Sequence, residues 1–442
     1  MVKKIVFKAF LMFAVCWLSA TDTTFAQPTP RVMTLDELFN LADAQSKSIR
    51  KAEAAGSTAE AAARVARNAQ LPDINITAAG SYAGNVLLTD RDFSNAEGLK
   101  GPHWGNSLAL TVRQTVFSGG AVSGSIEVAD LRHDLAQLNV ETEQQKVRYL
   151  LTGYYLDLYK TRNLLSVCDK NISRTQQVIA DMRAKEEAGT VLPNDVTRYE
   201  VQLQNLLYRR TELLSRIDVL NHQLVTTLDL PAGIDILPDT TLTHLTTQRY
   251  SEPELLVLAN EHQPTLQASQ KSIELSRKEQ KIVHAGLLPK VSLMAEDHFN
   301  CPITFELPPI DKNLNTWFVG VGIAYNIGYL YKTSKELVHS RRAVAEAQAR
   351  HDENRERVTL EVHQAYVQYQ NAFELLYTQQ KSLQLANENY AVVENRYKND
   401  LAVIIDLLDA DNLRQDAEAQ LVNAQINIIN QYYRLKYVTG TL

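Results

Sequence analysis

The sequence predicts an α+β fold in which one pattern is written twice: a helix, a β-hairpin, then two very long helices folded back on one another. Three observations carry this. The chain repeats itself with a period of about 210 residues, and each copy contains two stretches that alternate apolar and polar residues. Glycine (17) and proline (13) are scarce in 442 residues, which permits long uninterrupted helices. With 45% hydrophobic and 22% charged residues the chain is neither disordered by composition nor an ordinary polytopic helical membrane protein.

Residues 1–26 read as a secretory signal peptide. Lys3 and Lys4 open it, Ile5 to Leu18 form an apolar run broken only by Lys8, and Thr24-Phe25-Ala26 resembles a small-residue cleavage site. An uncleaved anchor is the weaker reading, because the run is short and polar residues follow at once. Phe13-Ala14-Val15 is a poor lipidation signal for Cys16. Removing Lys3, Lys4, Lys8 and Asp22 takes the net charge from −6 to −8. No later stretch offers the run of about 18 apolar residues that a transmembrane helix needs. A β-barrel remains open to such a chain.

Residues 27–245 form the first structural repeat and 246–442 the second. Each opens with a helical stretch, Thr34 to Gln70 and Glu252 to Leu287, with Leu35, Leu38 and Leu41 or Leu255, Leu258 and Ala259 at helical spacing. Each stretch ends at a Leu-Pro step, Leu71-Pro72 and Leu288-Pro289, where proline stops the helix and pushes its predecessor to extended geometry.

Period-two alternation follows. Ile74, Ile76, Ala78, Gly80 and Tyr82 share one face against Asn75, Thr77 and Ser81 on the other. Leu108, Leu110, Val112 and Val116 oppose Ala109, Thr111, Arg113 and Thr115. In the second copy Val291, Leu293 and Ala295 oppose Lys290, Ser292 and Glu296. Trp317, Val319, Val321, Ile323 and Tyr325 oppose Phe318, Gly320, Gly322 and Ala324. Strands of about 10 residues with one apolar face suit an outer-membrane barrel, although two half-buried hairpins of a soluble domain would read alike. Four strands cannot close a barrel, because the smallest of the outer membrane have about eight. An open edge in lipid costs several kcal/mol per unpaired group. If these strands are in a membrane, several chains must share one barrel.

Long helices complete each copy: about Ala121 to Ala188 and a second to about Leu228, then about Tyr331 to Lys398 and a second to about Val438. Roughly 65 residues of α-helix make a rod of about 100 Å, which needs coiled-coil packing to be stable. The copies align without gaps at an offset of 211 residues: Tyr155 with Tyr366, Gly189 with Asp400, Asp195 with Asp406.

The chain resembles the TolC-like outer-membrane channel-tunnel family (outer membrane factors) of bacterial efflux and type I secretion, over essentially its whole mature length. The resemblance rests on the duplicated order and on Tyr397, Val403-Ile404-Ile405-Asp406-Leu407-Leu408-Asp409-Ala410, the closing Tyr437-Val438-Thr439-Gly440-Thr441-Leu442, and Val116-Phe117-Ser118-Gly119-Gly120. It implies a homotrimer in the outer membrane, with a barrel of 12 strands continued by a helical periplasmic tunnel. The chain would then be a passive conduit docked to a periplasmic adaptor (membrane fusion) protein and an inner-membrane pump.

Asp406 and Asp409 match the family's constriction aspartates. Spaced i, i+3 they share a helix face, so threefold symmetry would stack two rings of carboxylates that attract cations. Without the resemblance they would read as a solvated acidic face together with Asp411. Gly189-Thr190-Val191-Leu192 and Asn399-Asp400-Leu401-Ala402 would be the adaptor-contacting tips, and Tyr397 a contact that closes the entrance. Asp400 and Ala402 stand where the family often has glycine and a basic residue, so the family's tethering network is not carried over.

Catalytic chemistry is not expected. Gly119-Gly120-Ala121-Val122-Ser123-Gly124 lacks the Gly-Lys-Ser/Thr ending of a phosphate loop. His262 and His284 are isolated, so no metal or cofactor is implied. Asn75-Ile76-Thr77 and Asn171-Ile172-Ser173 match a common glycosylation tripeptide without further meaning, and Glu143 and Glu186-Glu187 read as solvated or ion-paired helix charges. Cys168 and Cys301 fall in a predicted helix and a predicted loop and are expected as free thiols. With 51 acidic and 45 basic residues and no basic stripe, nucleic acid is not a partner. The reading from another class is a soluble periplasmic coiled-coil interaction protein without pore activity. The cargo is not legible.

Overall fold

The structure, a computed structural model, describes residues 29–239, 250–399 and 401–442. The signal peptide with Cys16, the division between the repeats at 245/246 and tip residue Asp400 lie outside the described residues. In chain order the elements are β1 (Thr29–Met33), α1 (Leu35–Gln45), α2 (Lys47–Arg67), β2 (Asp73–Tyr82), β3 (Val86–Leu88), β4 (Glu97–Leu99), β5 (Trp104–Phe117), α3 (Ala121–Glu187) and α4 (Pro193–Thr227). There follow β6 (Ile234–Pro238), α5 (Glu252–His262), α6 (Pro264–Ala285), β7 (Lys290–Cys301), β8 (Leu314–Ala324), α7 (Tyr329–Lys398) and α8 (Ile404–Val438). Two compact units result. One holds the described parts of Met1–Ser46, Leu151–Thr246 and Leu376–Ile429; the other holds Lys47–Leu150, the described part of Thr247–Leu375, and Asn430–Leu442.

The unit containing the strands is built on an antiparallel sheet of order β2-β5-β7-β8, so each repeat supplies one hairpin and the two hairpins meet at β5 and β7. Paired residues point to the same side of a sheet. Ile74, Val112, Ala295 and Val319 therefore share a face, as do Leu293, Val321, Val291 and Ile323. That face is bare: Ile74, Ile76, Val319, Val321 and Ile323 are 61–72% exposed. Asn75, Thr111, Glu296 and Phe318 lie in register on the other face, where Ser107 donates to Asn300 (2.7 Å) and His298 pairs with Glu296 (3.0 Å).

Two details depart from simple alternation. A register shift after Thr115 sets Phe117, and not Val116, opposite Val291, because an extra residue re-phases the strand. Asp297 stands on the apolar face between Leu110 and Trp317, where Asn315 donates to it at 2.6 Å. Tyr82 packs edge-on against Trp104 at the loop end of β2 and β5, Trp317 stands near the loop end of β8, and Tyr325, Tyr329 and Tyr331 follow the other end of β8. Both groups are exposed, as in the aromatic girdles of an outer-membrane barrel. The polar loop after β2 carries the small β3–β4 hairpin, and Ile303 bridges Ile310 in the loop after β7.

The strand-to-helix junction needs its glycines. Gly119 has φ +65°, and a Cβ there would lie 2.8 Å from the Ala285 carbonyl oxygen and 2.9 Å from Leu288. In the same unit the helices are tied by Lys271–Asp134 (2.6 Å), Arg132–Glu279 (2.9 Å) and Arg67–Asp130 (2.9 Å). Being half exposed, these pairs fix alignment more than they add stability. Glu143, expected to be solvated or ion-paired, accepts from Ser48 and faces Lys146 at 3.7 Å. Along α7, Val358, Val362, Ala365, Tyr369 and Ala372 are buried at i, i+4, i+7, i+11 and i+14, the stripe of a coiled-coil seam.

The opening helical stretch of each repeat is two helices and not one. Ser46 (ψ 125°) separates α1 from α2, and Gln263 (ψ 112°) separates α5 from α6. At the second break Pro264 disfavours helical geometry in its predecessor; the first has no proline, and Ser46, its backbone extended, closes α1 with its N–H on Ala42 O (2.9 Å). The other unit also contains a parallel pair, β1 with β6, that alternation over five residues could not reveal. Tyr155, buried in α3, ties it in: its hydroxyl donates to Met33 O (2.6 Å) and accepts from the Asp239 N–H (2.9 Å). Burial pushes that phenol up to about 12. Among the described residues no helix is long and apolar enough to cross a membrane.

Candidate functional site

The site predicted from sequence lies within the unit that contains the ends of α3 and α7 and the starts of α4 and α8. Each tip is a tight helical C-terminus followed by a fresh N-terminus. At the first, Gly189 (φ +74°) reverses the chain, with its N–H on Glu186 O (2.8 Å) and the Thr190 N–H on Lys185 O (2.9 Å). Val191 turns inward, Leu192 is exposed as N-cap, and Pro193 occupies the first helical position of α4, where it has no N–H to leave unpaired. At the second, the Leu401 N–H bonds Arg396 O (2.8 Å) while the Arg396 guanidinium donates to Leu401 O (3.2 Å). Leu401 and Val403 are exposed, Ala402 half-buried.

A compact apolar cluster joins the four helix ends. Ile179 and Met182 of α3, Val196 and Tyr199 of α4, and Ile404 and Leu407 of α8 are buried together, with Tyr390, Val393 and Tyr397 of α7 packed on them. The spacing 404, 407 on α8 puts these residues inward and leaves Asp406 and Asp409 outward, both exposed. Tyr397 is half-buried at this cluster, and the Lys185 ammonium sits 4.9 Å from its ring centroid, a cation–π contact from α3 to α7.

Asp406 has a second task. It stands in the first turn of α8, its carboxylate accepts from the Val403 N–H at 3.3 Å, and it faces the positive end of the helix dipole. Asp195, 211 residues earlier, likewise stands in the first turn of α4. The copies differ at the next position on that face: Asp409 of α8 corresponds to Arg198 of α4, so only α8 presents stacked carboxylates. Asp411 does not join them. It is buried, pointing to the opposite side of α8 and paired with Arg414, while Asp416 is exposed with Asp406 and Asp409. A helix turns 100° per residue, which sets 411 about 200° from 409. Asp416 and the Asp411–Arg414 pair are the features that sequence reading missed; the i+7 and i+10 steps from 409 and 406 were the available signal for Asp416.

No group of three or more His, Cys, Asp or Glu side chains that could hold a metal occurs among the described residues. Cys168 is a buried free thiol, raised by burial, and Cys301 is a free thiol that ends β7.

A family model described as "Outer membrane efflux protein" matches the chain twice, over residues 38–214 and 255–441, one match in each copy. Outer membrane efflux protein BepC of Brucella suis is 21% identical over 345 residues, covering 76% of this chain and 72% of that protein. The crystal structure of the outer membrane protein VceC of Vibrio cholerae superposes with a TM-score of 0.78 at 17% identity, over 92% of this chain and 96% of that one. The outer membrane channel MtrE of Neisseria gonorrhoeae, in its open state, superposes with a TM-score of 0.75 at 16% identity, over 92% and 88%.

Proposed function

Because this chain belongs to the outer membrane efflux protein family, we propose that three copies share one barrel and serve as the outer-membrane channel-tunnel of a tripartite efflux or type I secretion assembly. The observation that carries the reading is the four-stranded sheet itself, bare and apolar on one face and open at both edges, β2 and β8. In lipid such edges must be paired, and a second and third copy of the same sheet pair them by closing a 12-stranded cylinder. The apolar face then meets lipid, and Asn75, Thr111, Glu296 and His298 line the water-filled interior. A soluble coiled-coil protein would have no use for that face, which in water would drive aggregation.

In this reading the two tips, Gly189 to Leu192 and Asp400 to Ala402, are where a periplasmic adaptor docks, the adaptor being tied to an inner-membrane pump. The channel has no energy source of its own. Asp406 and Asp409 form the constriction as two rings of three carboxylates, and Tyr397 helps close the entrance from the α7 side.

Membrane fractionation with light scattering in detergent tests the assembly. Three chains in one outer-membrane particle are expected; a monomer in the soluble periplasmic fraction would end the channel reading. Asp406→Asn with Asp409→Asn tests the constriction. Replacing six carboxylates per pore is expected to reduce cation over anion permeability about tenfold at low salt and much less at high salt, where the charges are screened. Identical selectivity before and after the change removes both residues from the role.

A further inference from the structure

Behind the proposed constriction lies a buried ionic cluster that the duplication does not repeat. Arg414 is 2% exposed, yet it is charged. On its own helix, α8, it is paired with Asp411 and donates to Glu418 (2.9 Å), while Gln415 donates to the other oxygen of Asp411 (2.8 Å). From outside α8 two groups receive it: the Asn171 side-chain oxygen of α3 at 3.5 Å, and the Tyr390 ring of α7, whose centroid lies 4.8 Å from the guanidinium carbon. Asn171 and Asp411 are buried with it. Burial, with Asp411 adding to it, raises both Tyr199 and Tyr390, so these phenols stay neutral beside the cluster.

In the first copy leucine stands at the position equivalent to Arg414, and Glu200, the counterpart of Asp411, pairs with Arg183 where both are exposed. Subtracting 211 maps Arg414 onto Leu203 and Tyr390 onto Ile179, both in the hydrocarbon cluster of the tip. A hydrocarbon seam tolerates a small slide or rotation, because one methyl replaces another. A buried guanidinium does not. One turn of slip moves it about 5.4 Å, away from Asn171 and Tyr390 and into apolar surroundings, where an unreceived charge is costly. Single buried polar groups fix register in coiled coils by the same physics.

We infer that Arg414, held by Asp411 and Glu418 and received by Asn171 and Tyr390, is the positioning residue that locks the register of α8 against α3 and α7. In doing so it sets the level of Asp406 and Asp409, eight and five residues back along the same helix. The second half of this statement rests on the constriction reading; the register lock does not.

Register can be read by cysteine crosslinking, because Gln202 of α4 donates to Asn412 of α8 at 2.8 Å. In the full-length chain carrying Cys168→Ala and Cys301→Ser, Gln202→Cys is combined in turn with Leu408→Cys, Asn412→Cys or Asp416→Cys and oxidised with copper phenanthroline. Only the 412 pair is expected to crosslink efficiently. Adding Arg414→Leu with Asp411→Asn and Glu418→Gln, which removes the buried guanidinium without stranding either carboxylate that holds it, is expected to raise crosslinking at 408 or 416 severalfold. Tyr390→Leu, which leaves every charge in place, should do so to a lesser degree and covers the case in which the first variant does not fold. An unchanged 412-only pattern in the folded variants overturns the lock. Relaxed register accompanied by altered cation selectivity supports both halves of the inference. Relaxed register with selectivity unchanged supports the lock and counts against Asp406 and Asp409 as the constriction.

Discussion

Val321→Arg or Ile323→Arg is expected to abolish assembly in the outer membrane, whereas Thr111→Lys on the other face of the sheet is expected to be tolerated. Val321 pairs with Leu293 and Ile323 with Val291, so either arginine would be surrounded by hydrocarbon from its own sheet and from lipid. An arginine facing lipid near the midplane costs about 2–4 kcal/mol, and each chain of a shared barrel bears that cost. Thr111 lies in register with Asn75 and Glu296, where a lysine finds water and a carboxylate, so its effect should stay within about 0.5 kcal/mol. Heat-stable oligomer on a gel, compared across the three variants, is the measurement. Equal assembly of Val321→Arg and Thr111→Lys would reverse or erase the assignment of faces.

Tyr199→Ala is expected to loosen the tip by about 3–5 kcal/mol, the cost of emptying a large aromatic site. Tyr199 is 1% exposed and sits among Ile179, Met182, Val196, Ile404 and Leu407, so one ring bridges α3, α4 and α8. Its loss leaves a cavity where these helices meet. The expected readouts are a lower unfolding temperature and protease cleavage near Gly189 and Asn399. Tyr199→Phe, which keeps the ring, should retain most of the stability. A tip as protease-resistant in Tyr199→Ala as in the parent would show that the cluster does not hold the helix ends together.

Much of this architecture is legible in the amino-acid sequence, because it depends on patterns that local chemistry enforces. Leu71-Pro72 and Leu288-Pro289 end helices where they occur, and α3 runs from Ala121 to Glu187 with no proline inside it to break it. What escaped the sequence depends on neighbours distant in the chain. The break at Ser46 carries no proline, and β1 and β6 are five residues each and pair only with one another. The phase change at Thr115 shows only against β7.

The same division runs through the candidate site. Period alone puts Asp406 and Asp409 on one side of α8, since three residues of helix nearly complete a turn. Period cannot say that Asp411, two residues on, is buried, because burial requires Arg414, Asn171 and Tyr390 from three helices to meet there. The sequence by itself determined the duplicated order of elements, the strands, the long helices and the positions of the tips, all of which follow from steric and periodic rules acting over a few residues. Only the tertiary structure decided which charges face water and which are locked inside, because that choice belongs to whatever packs against each helix, and a one-dimensional pattern does not contain its own neighbours.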